Sequence, residues 1–143
     1  PGIDGQKMSK SYGNTIDIFT EKNVLKKKVM SIVTDSTPVE EPKDPEKCNV
    51  FALYRLFAQP DAVNDKKERY IKGGIGYGEM KKELVDLIWN YFAPFREKYT
   101  ELMNDQGRVH KILLDGAEKA RSHARKTLQD VRDKVGASYL RKP

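Results

Sequence analysis

Lys7-Met8-Ser9-Lys10-Ser11 gathers two ammonium groups and two hydroxyls into five residues, just beyond the glycines Gly2 and Gly5. Two lysines three apart on a glycine-flanked loop make a mobile cationic claw, and the hydroxyls and backbone N–H groups between them suit phosphate oxygens. The chemistry open to such a claw is electrostatic: it can hold a polyphosphate and stabilise the charge that builds on it as it leaves. Lys7 and Lys10 are the candidate stabilisers. Ser9 and Ser11 are candidate oxygen ligands or loop-ordering groups, and Met8 is a packing anchor. A Lys-x-x-Lys without its neighbours is more commonly a solvated turn.

Other chemistry-bearing residues are sparse. The single cysteine, Cys48, excludes an internal disulfide, fits a reducing compartment and reads as a small buried residue at the start of an apolar helix. His110 and His123 stand in basic, helical surroundings, and no His-x-Gly-His-type stretch exists. The cluster Gly73-Gly74-Ile75-Gly76-Tyr77-Gly78 could cradle phosphate, but it lacks a Gly-Lys-Ser/Thr ending and follows a helix. It reads better as a tight turn with a close backbone approach.

The elements behind the loop are helical. After a turn at Tyr12-Gly13-Asn14 and a short extended piece over 15–19, Thr20 can cap a helix running to about Val33, with Lys26, Lys27 and Lys28 on its outer face. Those lysines are either a solvated face or an RNA contact. Residues 34–43 read as a linker, and Asp44-Pro45-Glu46 as the start of the most buried helix, through Phe57. Gln59-Pro60-Asp61 opens a charged helix to about Ile71. The longest helix is predicted from Glu79 to about Asn104, with its apolar residues at steps of three and four and a kink ahead of Pro94. Trp89 lies just off that stripe, as partly buried core. A last helix starts at a capping box on Asp115-Gly116-Ala117-Glu118, carries an alanine-rich seam from Leu113 to Val135, and is closed by Gly136.

The net charge of +6 leans towards an anionic partner, and no apolar run approaches a membrane span. From Arg108 onward ten Lys/Arg face four acids, a surplus equal to that of the whole chain. A basic excess concentrated on terminal helices is what a phosphate backbone attracts, although a charged outer face of an amphipathic helix has the same composition. Arg121, Arg125, Lys126 and Arg132 are the candidate RNA contacts.

The pentapeptide resembles the signature loop of class I aminoacyl-tRNA synthetases, with all five positions matching. Val29–Asp35, Phe51-Ala52-Leu53-Tyr54, Gly76–Lys82 and Gly116–Arg121 are similar to segments of bacterial-type tryptophanyl-tRNA synthetases. The resemblance implies ATP-dependent activation of tryptophan to its adenylate and transfer to tRNA(Trp). It makes Lys7, Met8, Ser9, Lys10 and Ser11 an ATP-binding loop in which Lys7 and Lys10 are catalytic. It further implies Mg²⁺ accompanying ATP, a cytoplasmic location, and a homodimer formed mainly through the catalytic half.

The expected architecture is all-α. Residues 1–19 are read as the tail of a nucleotide-binding α/β domain, bearing the catalytic loop, and 20–143 as a helical anticodon-binding domain. The chain opens on Pro1-Gly2 without an initiating Met or signal peptide and reads as a C-terminal piece of a longer protein. Its indole pocket, second ATP signature and nucleotide-binding sheet would lie upstream. Such a piece is expected to bind no cofactor and to be inactive alone, its loop weakly held. The alternatives are a non-catalytic helical RNA-binding module derived from a synthetase, and a tyrosine-specific relative.

Overall fold

The computed structural model describes residues 1–137. The expectations placed on 138–143, including the part of the basic surplus carried by Arg141 and Lys142, lie outside the described residues. Six α-helices and no strand are found among those residues: α1 (Lys22–Met30), α2 (Asn49–Tyr54), α3 (Pro60–Lys72), α4 (Tyr77–Tyr91), α5 (Ala93–Asn104) and α6 (Gln106–Lys134). The all-α expectation is met. Two compact units divide the chain, Pro1–Glu97 and Lys98–Pro143.

The first unit holds the core. Its centre is α4, whose Met80, Leu84, Val85 and Ile88 are buried against Leu25 and Val29 of α1 and Val50, Phe51, Leu53 and Tyr54 of α2. Burial of these side chains, each contributing about 1.5–3 kcal/mol, drives the assembly. Tyr70 of α3 completes the core against Phe51, with ring centroids 5.3 Å apart. Cys48 is buried, its Sγ 3.6 Å from the Tyr70 hydroxyl. Trp89 is half-buried against the core, and the Arg96 guanidinium stacks on its ring at 3.6 Å.

Three lysines of this unit are buried, each because main-chain carbonyls or a carboxylate solvate its ammonium. Lys81 of α4 donates to Met30 and Ile32 carbonyls at 3.1 and 2.7 Å, capping the end of α1, and burial pushes its ammonium below the ordinary lysine range. Lys43 donates to Pro38 and Glu41 carbonyls at 2.5 and 3.1 Å, so residues 34–43 form a pinned strap rather than a free linker. Lys66 of α3 meets Glu83 at 2.7 Å, and Tyr54 donates to the same carboxylate at 2.7 Å. Burial raises Glu83, but these hydrogen bonds outweigh it and leave the carboxyl below its usual range.

Several boundaries differ from the sequence expectation. Helix α1 is capped by Glu21 rather than Thr20 and stops at Met30, leaving Val33 exposed. Asp44-Pro45-Glu46 makes a side-chain turn, Asp44 accepting from the Glu46 N–H at 2.9 Å, and the helix begins only at Asn49. The helix foreseen over 79–104 is two, separated at Phe92, because Pro94 offers no N–H to the Asn90 carbonyl. The glycine cluster is structural at its first two residues. Gly73 and Gly74 have φ of 83° and 93°, and the Gly74 N–H donates to the Val39 carbonyl at 2.7 Å.

The second unit contains the rest of α5 and α6, which at 29 residues is the longest helix described. It starts ten residues before the expected capping box: Asp105 is the N-cap, accepting from the Arg108 N–H at 2.9 Å, and Asp115 and Gly116 lie within the helix. Its end follows the glycine expectation. Gly136, at φ 69°, and Ala137 donate back to Asp133 and Arg132 carbonyls, the paired bonds of a Schellman motif. The alanine-rich seam is exposed along its length.

Candidate active-site loop and nucleic-acid interface

The claw sits on a small scaffold built by its flanks. Gly2 donates to the Gln6 carbonyl at 2.6 Å and Gly5, at φ 83°, donates to Gly2 at 3.1 Å, turning the chain into the loop. Lys7 to Ser9 then run extended, Ser9 at φ −147° and ψ 137°, before Lys10–Tyr12 close a single 3₁₀ turn. Gly13, left-handed at φ 64°, ends that turn by donating to the Lys10 carbonyl at 3.2 Å. Lys7 and Lys10 are both exposed, and no carboxylate pairs with either among the described residues. The Ser9 and Ser11 hydroxyls hydrogen-bond to each other at 2.8 Å, and Met8 is 38% exposed, so it does not anchor the loop by burial.

The anchor is a residue that sequence reasoning passed over as part of a turn. Asn14 is 2% exposed. Its Oδ1 accepts the Ser9 N–H at 2.8 Å, and its Nδ2 donates to the Lys7 carbonyl at 3.1 Å and to both Asp4 carboxylate oxygens at 2.9 and 3.1 Å. The Asn14 amide is the main cause holding the exposed Asp4 carboxyl below its usual range. Behind it, the Ile3 N–H donates to the Asn14 carbonyl at 3.0 Å and the Val33 N–H to Ile3 at 2.7 Å. Lys28 of α1 donates to the Gly13 carbonyl at 2.6 Å, so one of the three consecutive lysines is committed to the loop. A weakly held loop was expected; these bonds give it a base of its own. The only signals for Asn14 were its place directly after Gly13 and the turn chemistry of asparagine.

The candidate nucleic-acid contacts lie in the second unit. Arg121, Arg125, Lys126 and Arg132 all stand exposed on α6, and no carboxylate pairs with any of them among the described residues. Arg121, Arg125 and Arg132 are spaced by four and seven and so share one helix face, with Lys126 beside them. Leu114, Glu118, Arg121, Ser122 and Arg125 line a shallow concavity along that face. A row of unpaired guanidinium groups over a polar hollow can follow a phosphate backbone. Among the described residues no helix is long and apolar enough to cross a membrane, and no three His, Cys, Asp or Glu are grouped to hold a metal.

Comparison with known proteins fits this arrangement. Residues 1–93 match the family described as tRNA synthetases class I (W and Y). The chain is 48% identical over 135 residues to the tryptophan–tRNA ligase of Campylobacter jejuni strain RM1221, covering 94% of this chain and 42% of that protein. It is 47% identical over 136 residues to the ligase of Rhodopirellula baltica, at 95% and 42% coverage. The tryptophan–tRNA ligase of Pseudomonas aeruginosa is 41% identical over 143 residues, at 100% and 32%. Among solved structures, tryptophanyl-tRNA synthetase from Campylobacter jejuni complexed with ADP and tryptophan superposes with a TM-score of 0.81 at 48% identity, over 94% of this chain and 42% of that one. The chain therefore spans less than half the length of the curated relatives it matches.

Proposed function

The chain belongs to the class I tRNA synthetases of the tryptophan and tyrosine group, and from that membership we propose that it serves a tryptophan–tRNA ligase, supplying the ATP loop and a helical tRNA-binding surface. The observation that carries the reading is the intact claw, with both ammoniums exposed, and unpaired among the described residues, on a hydrogen-bonded base. In the proposed reaction the tryptophan carboxylate attacks the α-phosphorus of ATP and the bond to the bridging oxygen breaks. Pyrophosphate then leaves, carrying the displaced electron pair. Lys7 and Lys10 stabilise the charge arriving on it, Ser9 and Ser11 offer hydroxyls to its oxygens, and Met8 spans the two halves of the claw. The adenylate then passes its tryptophanyl group to the 3′ end of tRNA(Trp). Mg²⁺ would accompany ATP; among the described residues no three His, Cys, Asp or Glu are grouped to hold it.

In this reading residues 1–19 finish a nucleotide-binding domain and 20–143 form the tRNA-binding domain. The indole pocket, the second ATP signature and the main homodimer surface are supplied by the remainder of a longer, cytoplasmic enzyme. Tryptophan is chosen over tyrosine because the matched relatives are tryptophan–tRNA ligases.

The test is charging of tRNA by the whole enzyme, which should proceed with tryptophan and fail with tyrosine. Reversing the α6 charges in the pair Arg125→Glu and Lys126→Glu should weaken tRNA binding and flatten its dependence on log salt by about two units of slope, one for each lost phosphate contact. An unchanged salt slope would remove α6 from the interface, and charging with tyrosine would replace the substrate.

A further inference from the structure

The amide of Asn14 bridges the Lys7 carbonyl and the Ser9 N–H, the two backbone groups on either side of Met8. That single contact fixes the extended stretch out of which Lys7 projects and from which Lys10 follows. An asparagine amide can sit in either of two orientations, and only one of them presents oxygen to the Ser9 N–H. Asp4 reinforces the choice that the Lys7 carbonyl, itself only an acceptor, also favours. Its ionised carboxylate accepts hydrogen bonds and donates none, so it holds the NH₂ end at 2.9 and 3.1 Å and leaves Oδ1 facing Ser9. Space is as tightly set as orientation. A Cβ on Gly2 would lie 2.7 Å from Asn14 Nδ2 and 2.8 Å from Cγ, closer than carbon atoms approach without something shifting.

We propose that Asn14, oriented by Asp4, is the positioning residue that sets the geometry of the Lys7–Lys10 claw for pyrophosphate departure. The inference rests on the role proposed above for the two lysines. Removal of Asn14 leaves two orphaned backbone groups at the loop's centre, and the lysines then sample many placements. A displacement of about 1 Å is enough to cost roughly a hundredfold in rate.

The experiment follows ATP–pyrophosphate exchange in the whole enzyme with Asn14→Ala, Asn14→Asp, Asp4→Ala, Asp4→Asn and, as reference, Lys10→Ala. Asn14→Ala should lower kcat by about ten- to a hundredfold with the KM for tryptophan unchanged. Asn14→Asp should be at least as poor, because its carboxylate cannot donate to Lys7 or Asp4. Asp4→Asn, which still offers a carbonyl oxygen to the Asn14 amide, should retain clearly more activity than Asp4→Ala. In parallel, amide exchange at Ser9 in this chain should quicken in Asn14→Ala. Loss of melting temperature with kcat intact, or a kcat that does not distinguish the two Asp4 variants, would overturn the proposal and make Asn14 purely structural. If Lys10→Ala itself leaves exchange unchanged, the role of the lysines fails instead, and Ser9 exchange still reports whether Asn14 holds the loop.

Discussion

Lys10→Ala in the whole enzyme is expected to lower the rate of tryptophanyl-adenylate formation by about two to three powers of ten, with little loss of tryptophan affinity. The magnitude follows from what the residue meets. Its ammonium is exposed, and among the described residues no carboxylate pairs with it to compete with an arriving phosphate. A positioned cation that acts only as charge develops contributes to the transition state and not to the ground state, so the loss appears in kcat. One oxyanion donor of this kind contributes about 3–4 kcal/mol. Lys7→Ala should fall in the same direction, and the double variant should show less than the product of the two effects because both cations face one leaving group. Unchanged exchange in Lys10→Ala would refute the role.

Gly73→Ala should destabilise the chain by about 3 kcal/mol or more, the largest effect expected of any single methyl group here. At φ 83° and ψ 177° the Gly73 backbone occupies a region essentially reserved for glycine, at a cost of about 1–3 kcal/mol to any other residue. The added Cβ would also collide with the Glu40 main-chain carbonyl oxygen, which cannot rotate away as a flexible side chain would. The strap over 34–43 would have to lift, taking with it the Gly74 to Val39 bond at 2.7 Å and the buried Lys43. Gly78→Ala is the control from the same cluster. It lies in α4 with nothing within 4 Å of an added Cβ, and it should stabilise by about 0.5–1 kcal/mol. Denaturant midpoints measure both. Equal midpoints for the two variants would deny the close approach.

The loop could be read from the sequence because its chemistry is local: five adjacent residues carry their own charges and hydroxyls. Its base could not, since Asp4 and Asn14 are ten residues apart and their pairing follows no periodicity. The α4 core was legible from Met80, Leu84 and Ile88, which repeat at four, and the break before Pro94 from the missing N–H. The start of α6 was not, because Gly107 and Gly116 suggest interruptions that a 29-residue helix absorbs at about 1 kcal/mol each. Composition also hid Lys43, Lys66 and Lys81. Each reads as surface charge, yet each is buried where carbonyls or Glu83 solvate it. The Lys66 and Lys81 contacts join residues far apart in sequence, and none of the three leaves a mark on the hydrophobic pattern. The basic character of α6 was plain, and the sharing of one face by Arg121, Arg125 and Arg132 follows once the helix is continuous.

In the proposed reading this chain presents the claw that stabilises departing pyrophosphate in tryptophan activation, and the rest of the site comes from the remainder of the enzyme. ATP–pyrophosphate exchange measures it most directly, run on the whole enzyme and on the purified 143-residue chain. The whole enzyme should exchange label when tryptophan is present and not when tyrosine replaces it, and the chain alone should exchange none. Exchange driven equally by tyrosine, or tryptophan-dependent exchange by the isolated chain, would contradict the proposed function.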